Sequence, residues 1–151
     1  MWLLGDQDAH LNNFRLVTKN LDDGSVVHFI KKIDNGLTLP QKHTYIRNYL
    51  AYFSGRKNPL SEELTNTVMD ISKESLRPLI ESCYLEESWS CLKERIDLLQ
   101  ELVSRNLSVE EIHMRMNLLR YRKEGEMLAY STESLEVIKE KLKALQEGKK
   151  V

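Results

Sequence analysis

Cysteine is scarce in this chain. Cys83 and Cys91 are the only two in 151 residues, eight positions apart with no second pair. That spacing fits neither a disulfide framework nor a zinc pattern, so both are read as reduced thiols of a cytoplasmic-type protein. An excess of one charge is also lacking. Twenty-two basic and 23 acidic residues leave a net charge of -1, which gives no electrostatic argument for nucleic acid or an anionic membrane as partner. Long apolar runs are missing too. The opening Met1-Trp2-Leu3-Leu4 is four residues long, too short for a signal segment or a membrane span. Neither a Gly-x-Gly-x-x-Gly nor a P-loop Gly-x-x-x-x-Gly-Lys-[Ser/Thr] occurs, and no internal repeat or low-complexity tract interrupts the chain. What remains is 41% apolar and 30% charged, the composition of one globular domain with a real core.

The chemistry is concentrated at the start. Gly5-Asp6-Gln7-Asp8-Ala9-His10-Leu11-Asn12-Asn13-Phe14 packs two carboxylates, an imidazole and three amides in front of an apolar run. Residues 12–18 and 25–33 read as strands, rich in β-branched and aromatic side chains, joined by the Asp22-Asp23-Gly24 turn signal. The second strand ends in Ile33-Asp34-Asn35-Gly36, and residues 37–40 read as extended because Pro40 biases its predecessor away from helix. Asp8 in a loop can accept a hydrogen bond from an attacking hydroxyl, and His10 can do the same near neutral pH. Asn13 and Asp34 offer neutral and anionic oxygen ligands to a hard divalent cation. Asp6 reads as a brace for its own loop.

From about residue 42 the pattern turns helical. Tyr45, Tyr49, Leu50, Tyr52 and Phe53 form a bulky face read as core. Ser61 is placed as an N-cap. Ser72 or Ser75 starts the next helix, with Pro78 allowed only in its first turn. A long helix follows over residues 89–105. Ser108-Val109-Glu110-Glu111 spells a capping box, with Leu107 and Ile112 as its hydrophobic staple. That helix is expected to run to about Lys123, stopping before Gly125. A last one starts near Ser131 or Thr132 and ends at Gly148. The expected fold is α+β and mostly helical: a β-hairpin followed by five or six helices. Residues 1–41 carry the chemistry and residues 42–148 form the helical bundle.

Asp8-Ala9-His10-Leu11-Asn12-Asn13 resembles the D-x-H-x-x-N catalytic loop of the phosphatidylinositol 3-/4-kinase family, and also the loop of HipA-type kinases. Ile33-Asp34-Asn35-Gly36-Leu37-Thr38-Leu39-Pro40 is similar to that family's metal-binding segment. The resemblance implies the C-terminal catalytic lobe of a kinase-like fold. Asp8 would orient or deprotonate the acceptor and His10 would assist. Asn13 and Asp34 would hold magnesium or manganese on the phosphates of ATP. Ala9 stands where lipid kinases usually have arginine, a departure that counts against a lipid-specific site and leaves lipid, protein and small-molecule hydroxyls open as acceptors.

A complete kinase also needs a nucleotide-clamping lobe, and only seven residues precede Asp8. The expectation is therefore a C-terminal lobe or fragment whose N-terminal lobe or partner chain lies elsewhere, with Trp2, Leu3 and Leu37 forming an apolar patch toward it. The competing expectation is a non-catalytic helical binding or regulatory module that retains a degenerate kinase site.

Overall fold

The computed structural model describes residues 2–8, 11–33, 38–47, 54–83, 86–149 and 151, without the side chains of Leu11 and Cys83. A short 3-10 turn, Leu11–Asn13, leads into β1 (Phe14–Asn20), which pairs antiparallel with β2 (Val26–Lys32). Phe14 lies opposite Lys32 at the base and Asn20 opposite Val26 at the far end. Gly24 takes φ +82° in the connection, a conformation open to glycine at little cost. The Asp23 carboxylate accepts from the Ser25 hydroxyl (2.6 Å) and backbone N–H (2.9 Å). These bonds hold its pKa below the usual carboxylate value.

Among the described residues a further 3-10 turn, Ser54–Lys57, precedes six helices: α1 (Glu62–Met69), α2 (Lys73–Cys83), α3 (Glu86–Ser104), α4 (Val109–Leu118), α5 (Arg122–Tyr130) and α6 (Leu135–Gln146). The chain is thus α+β and mostly helical, a hairpin followed by helices. Among the described residues no helix is long and apolar enough to cross a membrane.

Local signals set several boundaries. Ser61, Ser108 and Ser134 cap α1, α4 and α6 by accepting from the N–H three residues on. Leu107 and Ile112 both join the core at the start of α4. Gly148, at φ +72°, ends α6 in a Schellman motif: its N–H bonds Leu145 O at 3.1 Å, and Lys149 N–H bonds Ala144 O at 2.9 Å.

Elsewhere tertiary contacts override the local pattern. Residues 42–47 are not helical. Their backbone is claimed by distant partners: Asn117 brackets Ile46 through its N–H (2.7 Å) and carbonyl (3.2 Å), and Arg47 N–H bonds Asp6 O at 2.9 Å. Tyr49, Leu50, Tyr52 and Phe53 lie outside the described residues. Tyr45 is partly exposed, with the Arg120 guanidinium 5.1 Å from its ring centre. Leu39 is not extended. It adopts φ +53°, a strained conformation for a branched side chain, and three anchors hold it there, as described below. Pro78 lies inside α2, beyond its first turn. The helix survives the lost hydrogen bond because Leu76 and Ile80 pack against α3 residues.

Gly125 does not stop a helix. It lies within α5, where a Cβ would come 2.1 Å from Leu118 O and 2.8 Å from Tyr121 Cβ. Its bare backbone lets α5 fold tightly back over the end of α4.

α3 and α4 form the centre. α1, α2 and α5 pack on α3, while α5 and α6 pack on α4. Ile96, Leu98, Leu102, Ile112, Leu118 and Ile138 are wholly buried there. So is Arg115, whose guanidinium bonds Glu111 Oε1, Ser131 O and Glu133 O at 2.9, 2.5 and 2.7 Å. The Glu111 carboxylate therefore serves Arg115, while Ser108 supplies the capping bond. The buried cation has both a counter-charge and backbone acceptors, which is what its burial requires. Cys91 is a buried free thiol whose pKa burial pushes up.

His113 is also buried. Trp2 Nε1–H donates to its Nδ1 at 3.2 Å, which requires that nitrogen to be unprotonated. Burial pulls its pKa from 6.5 down to about 4.

Two outcomes follow. Gly125→Ala lowers the unfolding free energy by about 3 kcal/mol in chemical denaturation, whereas Gly55→Ala, with nothing within 4 Å of the new methyl, changes it by under about 0.5 kcal/mol. As the pH falls from 6.5 toward 4, the unfolded chain protonates His113 while the folded chain resists. Stability present above that window is lost within it, by at most about 3 kcal/mol. A His113→Gln variant loses less over the same range.

Candidate functional site

The site is built at the base of the hairpin. Asn13 ends the 3-10 turn just before β1, and Ile33 follows β2. The N–H of Ile33 bonds Asn13 O at 2.8 Å, which closes the base. Asn13 is buried. Its Nδ2 donates to Asp8 O at 2.8 Å and to Asp8 Oδ2 at 3.1 Å. Asp8 and Asn13, five residues apart, are thus brought into direct contact. The arrangement leaves the Asn13 amide oxygen, the atom a hard cation would take, outside that bond.

Two further residues define the geometry. Asp6 is 1% exposed. Its Oδ1 accepts the N–H of Asp8 at 2.9 Å, and its Oδ2 pairs with Lys32 Nζ at 2.9 Å. The first bond is the Asx turn that an aspartate two residues ahead can form. The second ties the loop to the end of β2. Asp6 braces the loop, in agreement with the sequence reading. Lys32 went unnoticed there. Its only signal is that it ends β2 directly opposite Phe14, one residue from Asn13.

His10 and Asp34 lie outside the described residues, as does Leu37. Among the described residues no cluster of three His, Cys, Asp or Glu side chains gathers that could hold a metal ion. Among the described residues Asp8 and Asn13 offer one carboxylate and one amide oxygen, fewer than the six oxygens a hard cation takes.

The limbs on either side of the hairpin are fixed to α3. Arg95 of α3 is 1% exposed and donates from Nε to Leu3 O at 2.6 Å. Burial pulls its pKa down to about 10, and among the described residues its Nη2 has no hydrogen-bond partner. Gly5, at φ +63°, passes so close that a Cβ would lie 3.0 Å from the Arg95 Cζ. One residue earlier, Leu4 O accepts the N–H of Leu39 at 2.6 Å. Leu39 O in turn accepts from the Ser88 hydroxyl of α3 at 2.9 Å. The Leu39 side chain sits in a cluster with Trp89, Leu92 and Ile96. Together these contacts hold the strained Leu39 backbone.

Trp2 and Leu3, expected in an open apolar patch, are half-buried against the helical core. With Leu4, Leu60, Leu64 and Val68 they line an apolar cleft of about 620 Å³. A second, polar cavity of about 510 Å³ is lined by His43, Glu94, Arg122 and Lys123.

Comparison of the chain with family models, curated proteins and solved structures returns no match.

The ion pair of Lys32 with Asp6 gives a direct test. Lys32→Met strands a carboxylate whose side chain is 2% exposed and costs about 3 kcal/mol in chemical denaturation. Adding Asp6→Asn, which removes the charge but keeps the oxygen facing Asp8 N–H, recovers more than half of that loss.

Proposed function

We propose that the chain is the C-terminal catalytic lobe of an ATP- and magnesium-dependent phosphotransferase of the phosphatidylinositol 3-/4-kinase-like type. The observation that carries this reading is the contact of Asn13 with Asp8 at the base of the hairpin. It brings together the first and last residues of the D-x-H-x-x-N pattern, which supports the reading. Asp8 accepts the hydrogen bond of the attacking hydroxyl and holds its oxygen toward the γ-phosphate. The Asn13 amide oxygen would take a magnesium or manganese ion, with Asp34, which follows Ile33 in the sequence, as the second ligand. His10 assists Asp8. The metal supplies charge neutralisation at the phosphates; the protein supplies orientation. A partner lobe or chain clamps the nucleotide, and the acceptor is a hydroxyl on a lipid or protein.

The test is phosphate transfer from ATP, assayed on this chain together with whatever coding sequence precedes Met1. Asp8→Ala lowers the rate roughly 10²- to 10⁴-fold, and Asp34→Ala does so through lost metal affinity, partly restored by raising the magnesium concentration. Unchanged rates in both variants sink the assignment. Calorimetry of the chain alone decides the rival: absence of Asp34-dependent Mg-ATP binding, with no transfer, makes it a non-catalytic helical binding module.

A further inference from the structure

The hairpin leaves an unusual amount of apolar surface open. Direct cross-strand partners share a face. On one face lie Leu16 and Ile30, 72% and 68% exposed. On the other lie three cross-strand pairs in sequence: Arg15 with Lys31, Val17 with Phe29, and Lys19 with Val27. That second face is apolar in the middle and cationic at both ends. It also sets two like charges directly opposite each other, an arrangement that costs stability unless an anion lies between them. Arg15 is steered to the base by bonds from its Nη1 to Asn12 O (2.7 Å) and Phe14 O (2.8 Å), so the cationic end borders the Asp8 and Asn13 site. Among the described residues the sheet has two strands only, which leaves the outer edge of β1 unpaired.

We propose that this edge and face dock an extended acidic polypeptide, and that such a segment is the acceptor presented to Asp8; the second half of the proposal rests on the phosphotransferase reading. A strand added along β1 places its residues i, i+2 and i+4 opposite Arg15, Val17 and Lys19. The segment that fits has acids at the first and last of these positions and an apolar or aromatic residue between them, over about 13 Å. Phe29 and Val27 cover the apolar residue from the neighbouring strand.

Three features favour a polypeptide over other occupants. An open edge offers backbone N–H and C=O groups, which a peptide pairs and a nucleic acid or lipid does not. An anionic membrane surface is opposed by Asp22 and Asp23 at the hairpin tip. A second copy pairing through the same edge would bring two rows of Arg15 and Lys19 together, which like-charge repulsion opposes.

The experiment measures binding of the full chain, without nucleotide, to a fluorescent random Glu–Tyr copolymer by anisotropy. Poly-glutamate, phosphatidylserine vesicles and oligothymidylate serve as comparison probes. The copolymer is expected to bind best, and salt is expected to weaken it. Lys19→Glu and Lys31→Glu each weaken it roughly tenfold, and Phe29→Ala weakens it several-fold, with far-UV circular dichroism unchanged. Lys143→Glu, the same charge change on an exposed turn of α6, leaves it unaltered. The proposal is overturned if Lys143→Glu weakens binding as much as Lys31→Glu. It is also overturned if poly-glutamate binds as well as the copolymer and Phe29→Ala has no effect, or if vesicles or oligothymidylate bind more tightly. Because no phosphate is transferred, failure here is distinct from failure of the Asp8 and Asp34 assignment.

Discussion

The contacts that α3 makes with the two limbs of the hairpin are the constraint on which the candidate site depends. A two-stranded hairpin is marginal in water by itself, and this one leaves most of β2 exposed. What orients its base is a chain of bonds running from Arg95 to Leu3, from Leu4 to Leu39, and from Leu39 to Ser88. Two features of that chain are costly in isolation: a buried guanidinium and a leucine in left-handed conformation. Each is held by the other limb's presence. The Leu3 carbonyl gives Arg95 an acceptor in a dry environment, and α3 gives Leu39 a pocket and a hydroxyl. Helix, loop and post-hairpin segment form one unit, and Asp8 inherits its position from that unit.

Inside this frame the polar contacts at the base of the hairpin form a hierarchy. Lys32 secures Asp6, Asp6 secures the Asp8 backbone, and Asn13 secures both the Asp8 backbone and its carboxylate. Only the last of these groups faces the proposed chemistry. The rest is bracing, and its cost is met by pairing a buried anion with a half-screened ammonium. The pairing satisfies the buried Asp6 carboxylate, and the Asn13 amide holds the Asp8 carboxylate by a hydrogen bond.

Much of the fold was legible because its signals are local. The Asp23-Gly24 turn, the Ser61 and Ser108 caps and the Gly148 terminator each act through bonds within a few residues. The failures share an opposite cause. Residues 42–47 carry a helical pattern, but Asn117 and Asp6 take their backbone groups from 71 and 41 positions away. Gly125 looked like a stop signal, yet its lack of a side chain answers to the Leu118 carbonyl in a neighbouring helix. Leu39 obeys its partners on α3 rather than its neighbour Pro40. The candidate site divides in the same way. Asp8 and Asn13 were visible as a spaced pattern, and their contact spans five residues. Lys32 was not visible, because its role depends on strand pairing. His10 and Asp34 fall outside the described residues.

The ties between the limbs and the helices also join residues far apart in the chain. Arg95 meets Leu3 across 92 positions and Trp2 meets His113 across 111. Closing a loop of that length costs about 4 kcal/mol of chain entropy, while the hairpin and each helix close short ones. On loop-closure entropy alone, the hairpin and helices are the elements expected to form first and the limb contacts the ones expected last. Lifting residues 2–8 or 38–47 from α3 would leave the buried Arg95 guanidinium without its Leu3 acceptor and Leu39 without its Ser88 anchor, so opening of the loop that bears Asp8 is coupled to exposure of that face of α3.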